Sequence, residues 1–373
     1  GVLPSEVDRV AKLIPNIPSH PISIEEALEE IPELQEIYMN SAHMHELIDT
    51  AAKLDGVVRN AGTHAAGVVI SDKPLVEYIP LHRPTRESED SPIKTVTQFE
   101  VSILDELGLL KVDFLGLATL TVMANACKMI EKRYGIHLDL ENIPLDDAET
   151  FKFLGKGLTA GVFQLEGGGM TKYLMQMKPK NLANIIAMVA LYRPGPMEFI
   201  PKYIACMHGK QNVEYRHEML KPILEETYGI AVYQEQIMSA AMALAGYSAA
   251  DADALRKAIS KKNEKQIKEH EKKFIEGAVK NGIDEEAARL VFEDWKSFAQ
   301  YGFNKSHAAD YGIIAVQTAY LKTHYPLEYM TALLCSVMSD SEKIALYIVE
   351  CQTMGIAVLP PDVNHSDWNF SIE

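Results

Sequence analysis

The sequence predicts an α+β, mainly helical fold made of more than one domain. Three observations lead there. Apolar residues recur at three- and four-residue spacing through residues 1–58 and again through most of the chain beyond residue 145, which is the pattern of helices with one buried face. Between these regions lie short runs of small and β-branched residues broken by Pro74 and Pro80, the pattern of strands and turns. The chain has 373 residues, too many for one ordinary core, so two or three domains are expected.

In chain order, VDRVAKLI (7–14) and AHMHELIDTAAKLDG (42–56) read as amphipathic helices. SHPISIEEALEE supplies a helix start at Ser23, with Glu26 at capping-box spacing and Glu25 adding charge to the first turn. AGVVISDKPLVEYIPL (66–81), TVTQF (95–99) and LGLLKVDF (107–114) read as strands and turns, and PTRESEDSP (84–92) as a polar loop. From Thr119 a helix runs to a glycine stop at Gly135. Further helices are expected near 170–176, 181–191, 217–226, 232–245, 250–260, 264–280, 284–298, 306–322, 326–338 and 341–353. The predicted architecture is a helical piece, a small β-containing piece and a large helical domain.

Composition narrows the class. Hydrophobic residues are 47% and charged residues 24% of the chain, as in soluble globular proteins. No apolar run reaches the length of a membrane span, and the start does not read as a signal peptide. Cys127, Cys206, Cys335 and Cys351 are far apart, with no C-x-x-C, which argues against a zinc knuckle or disulfide framework and fits a reducing cytoplasm. A chain that opens on Gly1 and stops at Glu373 is expected to be a piece of a longer protein. Net charge is −16, which taken alone argues against a nucleic-acid binder. Yet a basic stretch runs from Arg256 to Lys280. It reads either as a solvated helix face or as a local guide for a polyanion.

Several residues are candidates for chemistry. Strand alternation places Lys111 and Asp113 on one face with Leu109, and turns Leu110, Val112 and Phe114 into packing on the other. Such a pair is either a salt-bridged edge strand or a metal-binding carboxylate beside a phosphate-facing lysine. RNAGTHAAGVVI (59–70) holds Arg59, Asn60 and His64 among small residues that let a backbone approach a ligand. YRPGP (192–196) sets Arg193 in a rigid turn. In DADALRKAISKK (251–262), Asp251 and Asp253 are candidate caps, while Arg256 and Lys257 open a ridge of cations suited to a triphosphate. YGFNKSHAADYG (301–312) brings Asn304, Lys305 and His307 to a helix start, with Ser306 as the candidate N-cap. FQLEGGGM (163–170) is not a P-loop, because no G-K-[ST] follows. His43 and His45, two apart on a helix, diverge and read as ordinary helix residues.

Eight motifs occur in a fixed order: RNAGTHAAGVVI, KVDFLGLATL, GVFQLEGGGM, ALYRPGP, YGIAVYQEQIM, ALRKAISKK, YGFNKSHAADYG and LKTHYPLEYM. Together they resemble the α-subunit family of bacterial DNA polymerase III, the C-family replicative DNA polymerases. The resemblance implies a nucleotidyltransferase β-type palm with a helical thumb and a large helical fingers domain. It assigns residues 1–68 to thumb, 69–118 to the second part of the palm and 119–373 to fingers. It implies DNA-directed DNA synthesis with two Mg²⁺ ions, in which the primer 3′-hydroxyl attacks the dNTP α-phosphate and pyrophosphate leaves. Asp113 would be one of three metal-binding aspartates, with Lys111 near the phosphates. Arg256, Lys257, Asn304, Lys305, His307 and Arg193 would face the nucleotide, and Arg59, Asn60 and His64 the DNA. The family's other two aspartates belong to a D-x-D motif that precedes the thumb, ahead of where this chain begins, and Asp251-x-Asp253 is not that motif because its side chains diverge on a helix, so the chain alone is expected to be inactive. Primer-template DNA and dNTPs are the implied partners. Sliding-clamp and replisome contacts would lie outside these residues. Two other readings stand beside this one: an accessory or error-prone C-family polymerase, and a non-catalytic scaffold that binds DNA or partners.

Overall fold

Helix α1 (Pro4–Leu13) opens the computed structural model, which describes residues 2–15, 22–57, 62–84, 93–261, 263–298, 302–364, 366 and 368–372. The chain divides into two compact units, residues 1–116 and 117–373.

In the first unit α2 (Ile24–Glu30), α3 (Pro32–Asn40) and α4 (Ala42–Ala52) follow. Ser23 and Glu26 form the predicted capping box, each side chain meeting the other's backbone N–H. Val10, Ala27, Leu34, Met44 and Ile48 are the buried stripe of these helices. His45 stacks on Tyr38 while His43 bonds Ser41, so the two histidines do diverge.

Strands β1 (Gly67–Ile70), β2 (Leu81–His82), β3 (Val96–Thr97) and β4 (Leu110–Asp113) come next, with α5 (Val101–Glu106) between β3 and β4. β1 pairs antiparallel with β4, and β2 with β3. The strands are shorter than the sequence suggests, and α5 was not expected. It is a six-residue helix whose N-cap, Glu100, makes no side-chain cap bond, so it carries no start signal.

The second unit is helical. It holds α6 (Ala118–Tyr134), α7 (Ala148–Leu154), α8 (Gly168–Met177), α9 (Leu182–Leu191) and α10 (Ile200–Met207). Then come α11 (Lys221–Leu224), α12 (Gln234–Ala245), α13 (Ala249–Ser260), α14 (Glu264–Lys280) and α15 (Glu285–Phe298). It closes with α16 (Lys305–His324), α17 (Pro326–Ser336) and α18 (Ser341–Thr353). Gly135 ends α6 in the left-handed conformation, as its sequence position predicts. The helix expected over 217–226 is broken into one α-turn flanked by 3-10 turns.

In the second unit the described buried side chains gather in three cores. One wraps α16 with α8, α9 and α10, one joins α12 to α15, and one packs α6 against α17 and α18. Each fully buried large apolar side chain contributes roughly 1.5–3 kcal/mol of transfer free energy. Helix α16 is pinned deep in the unit by Lys322. Its fully buried ammonium donates to the carbonyls of Leu158 (3.0 Å) and Ala160 (2.7 Å) and to Glu350 Oε1 (2.5 Å). A buried charge is tolerable only when satisfied in this way. With that end fixed, the opposite end of α16, at Asn304–His307, has a defined position.

Candidate functional site

The predicted residues that the structure describes fall into two clusters. The first lies on the β1–β4 pair. Gly67 sits opposite Asp113 and Val69 opposite Lys111, so the two charges share a face as alternation requires. The Lys111 ammonium donates to Asp113 Oδ1 and holds that carboxyl below the usual carboxylate range. His64 Nδ1 accepts the Ala66 N–H at 3.1 Å, which leaves Nε2 as the protonated nitrogen, 3.9 Å from Asp113 Oδ2. Gly67 makes this crowding possible. A Cβ there would lie 2.8 Å from Lys111 Cε, 3.0 Å from His64 Nδ1 and 3.1 Å from Asp113 Oδ1.

One expectation about this strand is overturned. Leu110 and Phe114 are not packed: they are 60% and 68% exposed, and Val68 and Ile70 beside them are exposed as well. The packing lies on the charged side, where Leu109 and Val69 meet Leu104 and Ile79. A hairpin-like pair of two short strands has two faces, and α5 with the Leu75–Leu81 segment covers only one. Among the described residues no group of three or more His, Cys, Asp or Glu side chains is arranged to hold a metal. Asp113 is a single carboxylate, and alone it does not fit a site for two divalent ions. Arg59 and Asn60 lie outside the described residues.

The second cluster surrounds the start of α16. Asn304, not Ser306, is the N-cap: its backbone is extended and its side chain accepts the His307 N–H at 2.9 Å, whereas Ser306 is already inside the helix. The Lys305 N–H goes to Glu235 Oε2 (2.9 Å), and the Lys305 ammonium to both oxygens of Glu226 (2.6 and 2.9 Å). The His307 ring lies between Phe303 (5.5 Å) and Tyr311 (4.2 Å). Arg193 donates from Nε to the Ala190 carbonyl and lays its guanidinium over the Phe303 ring at 4.3 Å. Phe303 is clamped in turn: its N–H meets the Val232 carbonyl (3.1 Å), and its carbonyl accepts the Gln234 N–H (2.9 Å).

The cation-bearing helix α13 joins this cluster through side chains. Its N-cap is Ser248, which accepts the Asp251 N–H, so neither Asp251 nor Asp253 is the cap. An aspartate inside the first turns is free to pair instead. Asp251 meets Lys273 at 2.6 Å. Asp253 bridges the Lys257 ammonium (2.7 Å) and Arg256, which gives it Nε and Nη2 (2.9 and 2.7 Å), and these cations hold its carboxyl low. Arg256 Nη1 reaches Gln234 Oε1 at 3.3 Å. Gln234 Nε2 donates to the Gly302 carbonyl at 3.1 Å.

Two family models match the sequence. The "bacterial DNA polymerase III alpha NTPase domain" matches residues 1–116, and the "bacterial DNA polymerase III alpha subunit finger domain" matches residues 119–282. The chain belongs to the bacterial DNA polymerase III α-subunit family. It is 46% identical over its full length to DNA polymerase III subunit alpha of Thermus aquaticus, covering 30% of that protein. It is 44% identical over its full length to the Bacillus subtilis subunit, covering 33%, and 46% identical over 98% of its length to that of Chlamydia muridarum, covering 29%. The chain thus spans about a third of the length of these relatives.

In this polymerase III α-subunit family member, Arg193, Arg256, Lys257, Asn304, Lys305 and His307 all join one connected cluster. Reasoning from sequence did not single out Gln234, Phe303, Asp253 or Gly67 for the places they take. YQEQIM carried a hint, because two glutamines and a glutamate at a helix start are donors and acceptors in need of partners. Nothing local announces that Gln234 pairs with Arg256 and Gly302, residues far along the chain.

Proposed function

We propose that the chain is the nucleotide-handling part of a DNA-directed DNA polymerase that adds dNTPs to a primer 3′ end in chromosome replication. On this reading residues 1–68 are thumb, 69–118 the second part of the palm and 119–373 fingers. The observation that carries it is the meeting of Arg256, Lys257, Arg193 and the Asn304–His307 turn in one cluster. Arginine guanidinium groups match phosphate oxygens in a planar fork, and aromatic rings such as Phe303 and Tyr311 suit a sugar or base. Arg256 and Lys257 take the triphosphate, and His307 and Asn304 flank the nucleoside. Lys305, held by Glu226, sets the position of the turn.

Asp113 is proposed as a carboxylate of the reaction centre. Lys111 keeps it ionised and is placed to meet a phosphate once Asp113 engages elsewhere. Mg²⁺ supplies charge stabilisation in such reactions. Asp113 offers only one of the carboxylates that two ions need, so the 373-residue chain by itself is expected not to extend a primer.

The test is the double charge reversal Arg256→Glu with Lys257→Glu in a full-length α subunit carrying this chain. The KM for dNTP should rise by about tenfold or more, because contacts to a charged ligand are lost. A normal dNTP dependence would sink the assignment.

A further inference from the structure

Gln234 stands first in α12, where α13 and the segment before α16 come together. Both ends of its amide are used. Oε1 accepts from Arg256 Nη1 at 3.3 Å. Nε2 donates to the Gly302 carbonyl at 3.1 Å and lies 3.4 Å from Ser260 Oγ. Its backbone N–H also donates to the Phe303 carbonyl at 2.9 Å. The orientation of the amide follows from these partners: flipped, its NH₂ would face a guanidinium and its oxygen a carbonyl.

We propose that Gln234 is a positioning residue for nucleotide binding, which aims the Arg256 guanidinium and seats the Gly302–Phe303 turn together. The proposal rests on the reading of Arg256 as a triphosphate ligand.

Arg256 has five N–H groups. Asp253 takes two and Gln234 a third, so two have no acceptor among the described residues. A planar group held from two directions has its remaining donors fixed in direction before a ligand arrives, which lowers the ordering cost of binding. The chemistry of the anchor matters. A neutral amide holds Nη1 without adding a second negative charge to compete with phosphate. Only an amide can also donate to the Gly302 carbonyl at its other end. Glutamate at this position would satisfy Arg256 but set an oxygen against the carbonyl oxygen of Gly302. Through that carbonyl and the Phe303 backbone, Gln234 also governs the ring on which Arg193 lies.

The experiment is single-nucleotide incorporation by a full-length α subunit carrying this chain. Variants Gln234→Ala and Gln234→Met are measured alone and combined with Arg256→Ala. Methionine keeps the length and packing of the side chain without its polar ends, so it separates positioning from folding. In both Gln234 variants the KM for dNTP should rise about tenfold with kcat changed by less than about threefold. In the Arg256→Ala background the same substitutions should raise KM clearly less than in the parent, because the part of their effect that passes through the guanidinium is already lost and only the seating of the Gly302–Phe303 turn remains. If Arg256→Ala raises KM while the Gln234 variants leave it unchanged, the inference about Gln234 fails and the site reading stands. Equal effects of Gln234→Met with and without Arg256 would make Gln234 scaffold only and likewise overturn the inference. No effect of Arg256→Ala would overturn the site reading itself.

Discussion

The charged face of the β1–β4 pair and the cluster at the start of α16 are built in opposite ways. The first needs only the chain between His64 and Asp113: alternation sets the two charges on one side, and Gly67 clears the space. It is small, local and holds one carboxylate. The second draws Arg193, Gln234, Arg256 and Lys305 from four separate helices or turns and locks them with amide, carboxylate and ring contacts. The contrast separates two design problems. In the proposed roles, a reacting centre gains from a short rigid support, whereas a grip on a large flexible anion gains from donors that arrive from several directions.

Substitutions in either cluster test this difference. The largest effect is expected from Asp113→Asn in a full-length α subunit carrying this chain: kcat should fall by roughly 10²-fold or more, the scale of losing one group that stabilises developing charge. Unchanged incorporation at physiological Mg²⁺ would remove Asp113 from the reaction centre.

Gly67→Ala should be milder. The new methyl meets Lys111 near its flexible end, so stability should drop by less than ~1 kcal/mol while the rate falls roughly tenfold from displaced charges. Thermal melting and single-turnover rates separate the two, and a large loss of melting temperature would mean that the glycine serves folding alone.

Asp253→Asn should act in the opposite direction. Asparagine keeps an oxygen that can hold Arg256 in place but drops the charge that competes with phosphate, so Arg256 and Lys257 should bind triphosphate more tightly, with the KM for dNTP falling about two- to fivefold, the scale of a partly exposed ion pair. A raised KM would show that Asp253 orients the cations rather than competing for them.

The smallest effect concerns pH. Lys273 and Ser248 draw the Asp251 carboxyl from 3.8 down to about 2. A carboxyl depressed by folding adds stability above its unfolded value, and that stability is lost as pH falls from about 4 towards about 2. Melting curves of the parent and of Lys273→Met should therefore differ at pH 6 and converge in acid. A difference that persists at low pH would assign the Lys273 effect to packing instead.

How much of this was legible in the sequence depends on the reach of the interaction. Signals carried within one turn were readable: the Ser23–Glu26 box, the Gly135 stop and the full span of α14 stand where spacing placed them. Short helices with muted signals were missed. Helix α7 starts at Ala148 behind the N-cap Asp147, whose side chain accepts the Thr150 N–H, and α10 starts at Ile200 with a proline in its first turn, yet neither was expected. The caps of α13 and α16 were assigned two to five residues too late, because several Ser, Asp and Asn residues compete at each start and only backbone geometry decides among them. The same limit applied to the site. Lys111 and Asp113 were found through period-two alternation, but their apolar neighbours were taken for buried because alternation does not say which face another layer covers. Individual members of the α16 cluster were found as residue types suited to phosphate. Their assembly was not, because Gln234 is separated from Gly302 and Arg256 by whole helices.

In the proposed role, Asp253 would bear on turnover as well as on capture. A bare pair of cations on α13 would hold a departing pyrophosphate about as firmly as an arriving dNTP, and the next cycle would wait on its escape. With a carboxylate 2.7 Å from each cation and attached to the same helix, the cations have a partner at hand when no ligand is bound. In the proposed role this partner shortens the residence time of spent product, so part of the speed of the cycle would be set by an anion that never leaves the protein.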